Sequence, residues 1–175
     1  MQFRRKNIRL HPIHYRGHRW FFITLCCESR RPAFSDGRNA EELVRCLRTT
    51  AERCQFDVHA FCVMPDHFHA LVEGASADSD LLSFVRIFKQ ASSREYSEVW
   101  GMVLWQKKFY DHILRSRDSP EAVSWYIWMN PVRKGLCRQP IQYPFSGSFT
   151  AQWEKNAEPL EEWVPAWKKR QVARP

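Results

Sequence analysis

The chain has 175 residues, with 27 Lys and Arg against 19 Asp and Glu and a formal net charge of +8. That length predicts one domain whose core is large enough to be stable without disulfides or a structural metal. The six cysteines form neither a CxxC pair nor a zinc-ribbon pattern. No apolar run is long enough to cross a membrane and no signal-peptide core follows the N-terminus, so we expect a reduced, cytoplasmic protein without a membrane partner.

The N-terminal segment is strongly basic. From Met1 to Cys27 the chain contains no Asp or Glu, and such a stretch attracts polyanions. The chain is also rich in aromatic residues, with 8 Trp, 12 Phe and 5 Tyr. Unpaired bases stack on such rings while cations hold the phosphates, although most of these rings are expected in the core. The cations of the predicted DNA-binding arm are Arg4, Arg5, Lys6, Arg9 and Arg16.

The chain then alternates between strand and helix patterns. Strands are predicted at Arg19–Cys27, at Phe56–Val63, at the run beginning with His67 and near Phe109–Arg115, and helices at Glu41–Cys54 and Leu81–Trp100. The order β-α-β-β-α-β indicates an α+β, ferredoxin-like fold, with both helices on one face of an antiparallel sheet. The opposite face is expected to be an open surface.

Two histidines flank one hydrophobe at the start of the third predicted strand. Successive strand side chains point to opposite faces, so His67 and His69 share one face while Phe68 enters the core. This spacing suits two nitrogen ligands of a metal, although in so short a motif both can be ordinary polar residues. A catalytic metal needs a third protein ligand and open positions, which other segments must supply.

A further helix is predicted after the fourth strand. The sequence Asp-Ser-Pro-Glu at 118–121 offers a cap, a proline for the first helical position and an acidic first turn. Tyr126 and Asn130 are four residues apart on this helix and share a face, just before Pro131 ends or kinks it. A tyrosine beside a cation can attack phosphorus, and an amide oxygen suits Mg²⁺ or Mn²⁺. On this segment alone, a core ring and a helix-ending residue remain the alternatives.

Several other residues compete for these roles. The candidates are Tyr96 and Tyr110 as nucleophiles and His59 and His112 as ligands. Neither tyrosine has an amide four residues later. A metalloenzyme site with a carboxylate beside the histidines is a separate alternative. We expect no such site, because Glu73 lies about 13 Å from His69 at the rise of a strand and Asp66 has the opposite parity.

Seven separated blocks of sequence, in the right order, resemble the single-tyrosine HUH transposases, and within them the bacterial REP-associated tyrosine transposases. The resemblance runs from Trp20 to Phe149, about three quarters of the chain. The blocks are Trp20–Leu25, Arg30–Pro32, Val63–Val72, Phe88–Gln90, Leu104–Gln106, Tyr126–Gly135 and Tyr143–Ser146.

The resemblance implies a ferredoxin-like nuclease fold and a function. His67 and His69 match the two HUH metal ligands, Tyr126 matches the nucleophile, and Asn130 falls where the family places its third, amide-bearing ligand. The implied activity is metal-dependent cleavage and strand transfer of single-stranded DNA beside a palindromic REP-type hairpin. Cleavage would leave the 5′ phosphate on Tyr126, with Mg²⁺ or Mn²⁺ as the cofactor. Such a protein is expected at the nucleoid, as a monomer or a homodimer.

The resemblance covers most of the chain but fits its C-terminal end poorly. Residues 1–150 are predicted to form the nuclease domain with its basic arm, and residues 151–175 an aromatic and basic extension. Beyond the arm, the predicted DNA contacts are Lys89, Gln90, Arg94, Arg133 and Lys134. The alternative is a non-catalytic RRM-like module that binds single-stranded nucleic acid, although the RNP aromatic signature is absent from the third strand.

Overall fold

The computed structural model describes residues 10–166 and 168, in which five strands form one antiparallel sheet. The strands are β1 (Trp20–Cys26), β2 (Phe56–Met64), β3 (His67–Gly74), β4 (Tyr110–Ile113) and β5 (Ser146–Gly147). The helices are α1 (Gly37–Cys54), α2 (Leu81–Trp100), α3 (Pro120–Trp128) and α4 (Asn130–Arg133). The sheet order is β4-β1-β3-β2-β5. The predicted α+β, ferredoxin-like order β-α-β-β-α-β is confirmed, with β5 added at one edge.

Helices α1 and α2 pack together on one face of the sheet. The side chain of Asp80 caps α2 by accepting from the backbone N–H of Leu82 at 3.0 Å, and Asp36 caps α1 in the same way. Helix α1 therefore begins at Gly37, and the prediction that it begins at Glu41 was wrong. The glycine and asparagine at 37 and 39 suggested a loop, but a capped first turn tolerates both.

The second face of the sheet is covered, so the expectation of an open surface was wrong. Phe22, Cys62 and Leu71 are fully buried there against α3 and Trp163. Most side chains that the strands point to this side are apolar, and leaving them in water would cost about 25 cal/mol per Å². Helix α3 supplies the cover and brings its own side chains onto the histidine strand. No helix among the described residues could span a membrane.

Candidate active site

The hairpin of β2 and β3 places both predicted histidine ligands on the face that α3 covers. A two-residue connection, Pro65 and Asp66, joins the strands. His67 pairs with Cys26 and Met64, and His69 pairs with Thr24 and Cys62. The two imidazole centroids are 4.7 Å apart, with the rings at 82°.

Each imidazole is held through its Nδ1 atom by a different partner. Nδ1 of His67 lies 2.6 Å from Oδ1 of Asp66, and Nδ1 of His69 lies 2.8 Å from Oγ1 of Thr24. The prediction that Asp66 points away from the histidines was wrong, because Asp66 belongs to the turn, where side chains do not alternate between faces. With Nδ1 engaged on both rings, Nε2 is the nitrogen left to each for a metal.

Burial determines the charge of these rings. It lowers the pKa of His67, against the opposing effect of Asp66. It lowers the pKa of His69 well below the usual value, and the nearby His67 and Arg133 act in the same direction. Both rings are therefore neutral at neutral pH, which is the form that binds metals.

Tyr126 lies on α3 directly above the histidine strand. The side chain of Ser119 caps this helix by accepting from the backbone N–H of Ala122, and Pro120 occupies the first position, as predicted. The Tyr126 ring is edge-on to His69, with centroids 6.4 Å apart. Its Oη is buried and has no hydrogen-bond partner in the described part of the chain. Burial raises the pKa of the phenol, although Arg133 opposes this.

Asn130 starts α4, one helical turn after the tyrosine. The helix is interrupted at Met129, because Pro131 has no N–H to donate to the Ile127 carbonyl four residues earlier. Nδ2 of Asn130 donates to the backbone carbonyls of Tyr126 and Ile127, both at 3.1 Å. These bonds orient the amide and use its donors, which leaves Oδ1 as the atom able to ligate a metal.

Two cations flank the tyrosine ring. The guanidinium carbon of Arg133 lies 4.4 Å from the ring centroid, and its Nη2 donates to the Tyr126 carbonyl at 2.5 Å. Nζ of Lys168 lies 5.0 Å from the same centroid. Such cations stabilise a phenolate or a phosphate at this position. Lys134, an exposed predicted DNA contact, acts electrostatically on His67.

Trp163 closes the site from the C-terminal extension. Its ring contacts Tyr126 at 5.3 Å and Phe22 at 5.1 Å between centroids, both edge-on. Its Nε1 donates to Asp118 at 3.2 Å. The other carboxylate oxygen of Asp118 accepts from the N–H of Arg115 and contacts His112. Asp118 thus ties β4, the start of α3 and the C-terminal extension together.

Sequence reasoning missed Thr24, Asp118, Trp163 and Lys168, and it dismissed Asp66. A signal existed for Thr24, since a hydroxyl in the first strand can face a histidine across an antiparallel pair. No local signal marks Trp163 or Lys168, whose contacts depend on how the extension folds back.

The remaining predicted DNA contacts lie away from Tyr126. Lys89, Gln90 and Arg94 are on α2, across the sheet from α3, and Nζ of Lys89 donates to the carbonyl of Gln106 at 2.6 Å. Arg16 is exposed, and its backbone forms an isolated antiparallel β-bridge with that of Asp80. The predicted DNA contacts Arg4, Arg5, Lys6 and Arg9 lie outside the described residues.

The other tyrosines and histidines considered as nucleophiles or metal ligands lie in three different places. Tyr96 lies on α2, on the opposite side of the sheet, and stacks beside Trp100. Tyr110 pairs with Thr24 across β1 and β4 and acts electrostatically on Tyr126, so it remains a neighbour of the site. His112 is tied to Asp118.

A second cluster that could hold a metal consists of Asp57, His59 and Glu73. The His59 ring already contacts Glu73 through Nε2 at 3.0 Å and Thr150 through Nδ1 at 3.1 Å. A register shift between Val58 and Ala60 marks a bulge at His59 and turns it to the α3 side, where it stacks on Trp20.

The structure defines an α+β protein in which a strand that carries two histidines lies under a helix that carries a tyrosine. The family model described as "Transposase IS200 like" matches residues 18–130. The chain belongs to this IS200-like transposase family. Membership gives it an enzymatic role in DNA nicking and strand transfer.

The individual relatives have low sequence identity to this chain but match it over most of its length. The REP-associated tyrosine transposase of Escherichia coli is 26% identical over 75% of this chain and 76% of its own length. An uncharacterized protein of Haemophilus influenzae is 26% identical over 73% of this chain and 88% of its own. The solved structure of a REP-associated tyrosine transposase bound to a REP hairpin superposes with a TM-score of 0.68 at 23% identity, over 90% of this chain and 94% of that one.

Proposed function

We propose that this chain cleaves and transfers single-stranded DNA beside a palindromic hairpin, through a 5′-phosphotyrosine intermediate on Tyr126. The observation that carries the proposal is the buried Oη of Tyr126, which has no hydrogen-bond partner among the described residues and belongs to a ring facing His69. A buried hydroxyl left unpaired costs about 1–3 kcal/mol. Each such group in a native protein calls for an explanation, and a role as a nucleophile is one.

The donor set fits a divalent metal ion, Mg²⁺ or Mn²⁺. Nε2 of His67, Nε2 of His69 and Oδ1 of Asn130 would hold it. Both imidazoles are neutral and oriented through Nδ1, and an amide oxygen adds a hard ligand while leaving positions open for phosphate oxygens. When bound, the ion supplies polarisation of the scissile phosphate and neutralises its developing charge.

Tyr126 supplies the nucleophile. A bond forms between its Oη and phosphorus, while the bond from phosphorus to the 3′ oxygen breaks. Oη gives up its proton, and the departing 3′ oxygen takes one up as a hydroxyl. Because burial raises the pKa of Tyr126, the adjacent Arg133 guanidinium has to favour the phenolate. Attack by a new 3′ hydroxyl reverses the same step and joins strands.

The substrate is inferred from the related complex with a REP hairpin. Arg133 and Lys134 would hold the phosphates around the cleaved bond, while Arg16 and the α2 side chains Lys89, Gln90 and Arg94 would contact flanking DNA. Such an enzyme would work at the nucleoid in the cytoplasm, as a monomer or a homodimer. Residues 1–150 would form the nuclease domain and 151–175 an extension to it.

The test is a nicking reaction on labelled hairpin oligonucleotides with a single-stranded flank, taken from palindromic repeats around the gene. We expect a covalent protein–DNA adduct that requires Mn²⁺ or Mg²⁺, disappears with a chelator and disappears in Tyr126→Phe. Tyr96→Phe, on the opposite face of the sheet, is the matched control and should retain the adduct. An adduct persisting in Tyr126→Phe contradicts the assignment. Tight hairpin binding without any adduct would instead favour the RRM-like binding module.

A further inference from the structure

The segment that follows β1 has an unusual backbone. Ser29 and Arg30 have φ values of 53° and 55°, in the left-handed region that non-glycine residues rarely adopt. Such conformations cost of order 1–3 kcal/mol each and persist only where the surroundings determine them. Here the N–H of Arg30 donates to the Cys27 carbonyl at 3.0 Å, and the N–H of Cys27 donates to the Asp66 carbonyl at 2.9 Å. The strained turn is thereby fixed against the turn that precedes β3.

This arrangement brings Arg30 to the carboxylate beside His67. Nη1 of Arg30 donates to Oδ2 of Asp66 at 3.2 Å, while Oδ1 of the same carboxylate lies 2.6 Å from Nδ1 of His67. The Arg30 side chain is 55% exposed and that of Asp66 is 32% exposed. An ion pair this exposed contributes about 0–1 kcal/mol to stability. Stability gained from the pair therefore does not explain two strained residues.

We propose that Arg30 and Asp66 are positioning residues for His67. Asp66 keeps the His67 proton on Nδ1 and the lone pair of Nε2 toward the metal, and Arg30 holds Asp66 in the orientation that does so. The inference rests on the proposed function in one respect, namely that His67 is a metal ligand. A carboxylate on the far nitrogen of a ligating histidine fixes its tautomer and raises its basicity.

Asp66→Asn is nearly isosteric, yet it should reverse the tautomer of His67. The Arg30 guanidinium can only donate, so it would take the amide oxygen of the asparagine. The amide NH₂ would then face Nδ1 of His67 and donate to it, and the imidazole proton would move to Nε2. That tautomer has no lone pair for a metal on the side of His69 and Tyr126. Adding Arg30→Gln frees the amide to rotate and partly restores the original tautomer.

The direct readout is the tautomer of His67 in metal-free protein, from long-range ¹H–¹⁵N correlation spectra at neutral pH. We expect the Nδ1–H form in the wild type, the Nε2–H form in Asp66→Asn and a mixture in the double variant. Titration with Mn²⁺ alone should show a loss of about 10–100-fold in affinity for Asp66→Asn. Arg30→Gln alone should lose less, because the carboxylate still accepts from Nδ1–H.

The exposed pair of Arg38 and Asp36 is a matched control. It joins the same two residue types at 3.1 Å on the first turn of α1. Asp36→Asn and Arg38→Gln should change neither the His67 tautomer nor the Mn²⁺ affinity. Circular dichroism of each variant tests whether it is folded.

Three outcomes decide the matter. An Nε2–H tautomer in the wild type, or an unchanged tautomer in Asp66→Asn, overturns the positioning role. If the tautomers change as expected but the wild type binds no Mn²⁺, the positioning of the ring stands and the metal-dependent function fails. The two inferences can therefore fail separately.

Discussion

The ring of Tyr126 lies edge-on to the imidazole of His69, with centroids 6.4 Å apart and planes at 68°. The contact joins α3 to β3 across the face of the sheet opposite α1 and α2. It places a hydroxyl-bearing ring beside a neutral imidazole whose Nδ1 is held by Thr24. The proposed nucleophile and one proposed metal ligand, far apart in sequence, are thus neighbours in the fold.

Replacing Tyr126 with Phe should remove activity without unfolding the protein. The lost Oη makes no hydrogen bond among the described residues, and removing an unsatisfied buried hydroxyl relieves a penalty of about 1–3 kcal/mol. We expect the free energy of unfolding, measured in urea, to stay the same or to rise by up to that amount. A clear loss of stability would mean that Oη has a partner.

Replacing Thr24 with Val should weaken both stability and metal binding. The change leaves Nδ1 of the buried His69 without its partner at 2.8 Å, and an unsatisfied buried polar group costs about 1–3 kcal/mol. Mn²⁺ affinity should fall because the ring loses the contact that orients it. Thr24→Ser keeps the hydroxyl and should keep the affinity, measured by the same titration. Equal losses in both variants would indicate that the methyl group matters instead.

Replacing Trp163 with Ala should lower stability yet speed adduct formation. The indole is 9% exposed and packs on Tyr126 and Phe22, so its loss should cost roughly 3 kcal/mol. Tyr126 is 5% exposed and the Trp163 indole packs on its ring, so we expect removal of the indole to make Tyr126 more accessible to a DNA phosphate. The measurements are urea unfolding and the initial rate of adduct formation. Trp153→Ala is the control, since that ring packs on Trp20, and an unchanged rate in Trp163→Ala would contradict the prediction.

The contribution of Asp118 to stability should be lost in acid. Burial opposes ionisation of this carboxyl, but hydrogen bonds from the Arg115 N–H, His112 and Trp163 outweigh it and lower the pKa below its usual 3.8. A carboxyl with a lowered pKa in the folded state stabilises the protein above the unfolded value and loses that effect as pH falls through the folded value. The difference in unfolding free energy between wild type and Asp118→Asn should be constant above about pH 5 and shrink below pH 4. A difference independent of pH would exclude the ionised form as its source.

The elements with strong local signals were predictable. The alternation that placed His67 and His69 on one face follows from strand geometry, and the start of α3 at Pro120 follows from its cap and proline. The hairpin and α2 had equally local signals. The start of α1 was missed because the Asp36 cap lies among residues that are also typical of a loop.

Contacts between distant segments could not be predicted from sequence patterns. Asp66 was dismissed by a parity rule that does not hold in a turn, although it bonds His67. Trp163 has no periodic pattern around it, and its place on Tyr126 depends on how the extension crosses α3.

The amino-acid sequence by itself determined the order of strands and helices, the shared face of the two histidines and the family resemblance, because these depend on period, caps and short motifs. Only the tertiary structure decided that the histidine face is covered, that Thr24 and Asp66 hold the two rings, and that Trp163 and Lys168 lie on Tyr126. Those relationships arise from burying apolar side chains contributed by segments far apart in the chain, and no local pattern specifies which of them will meet.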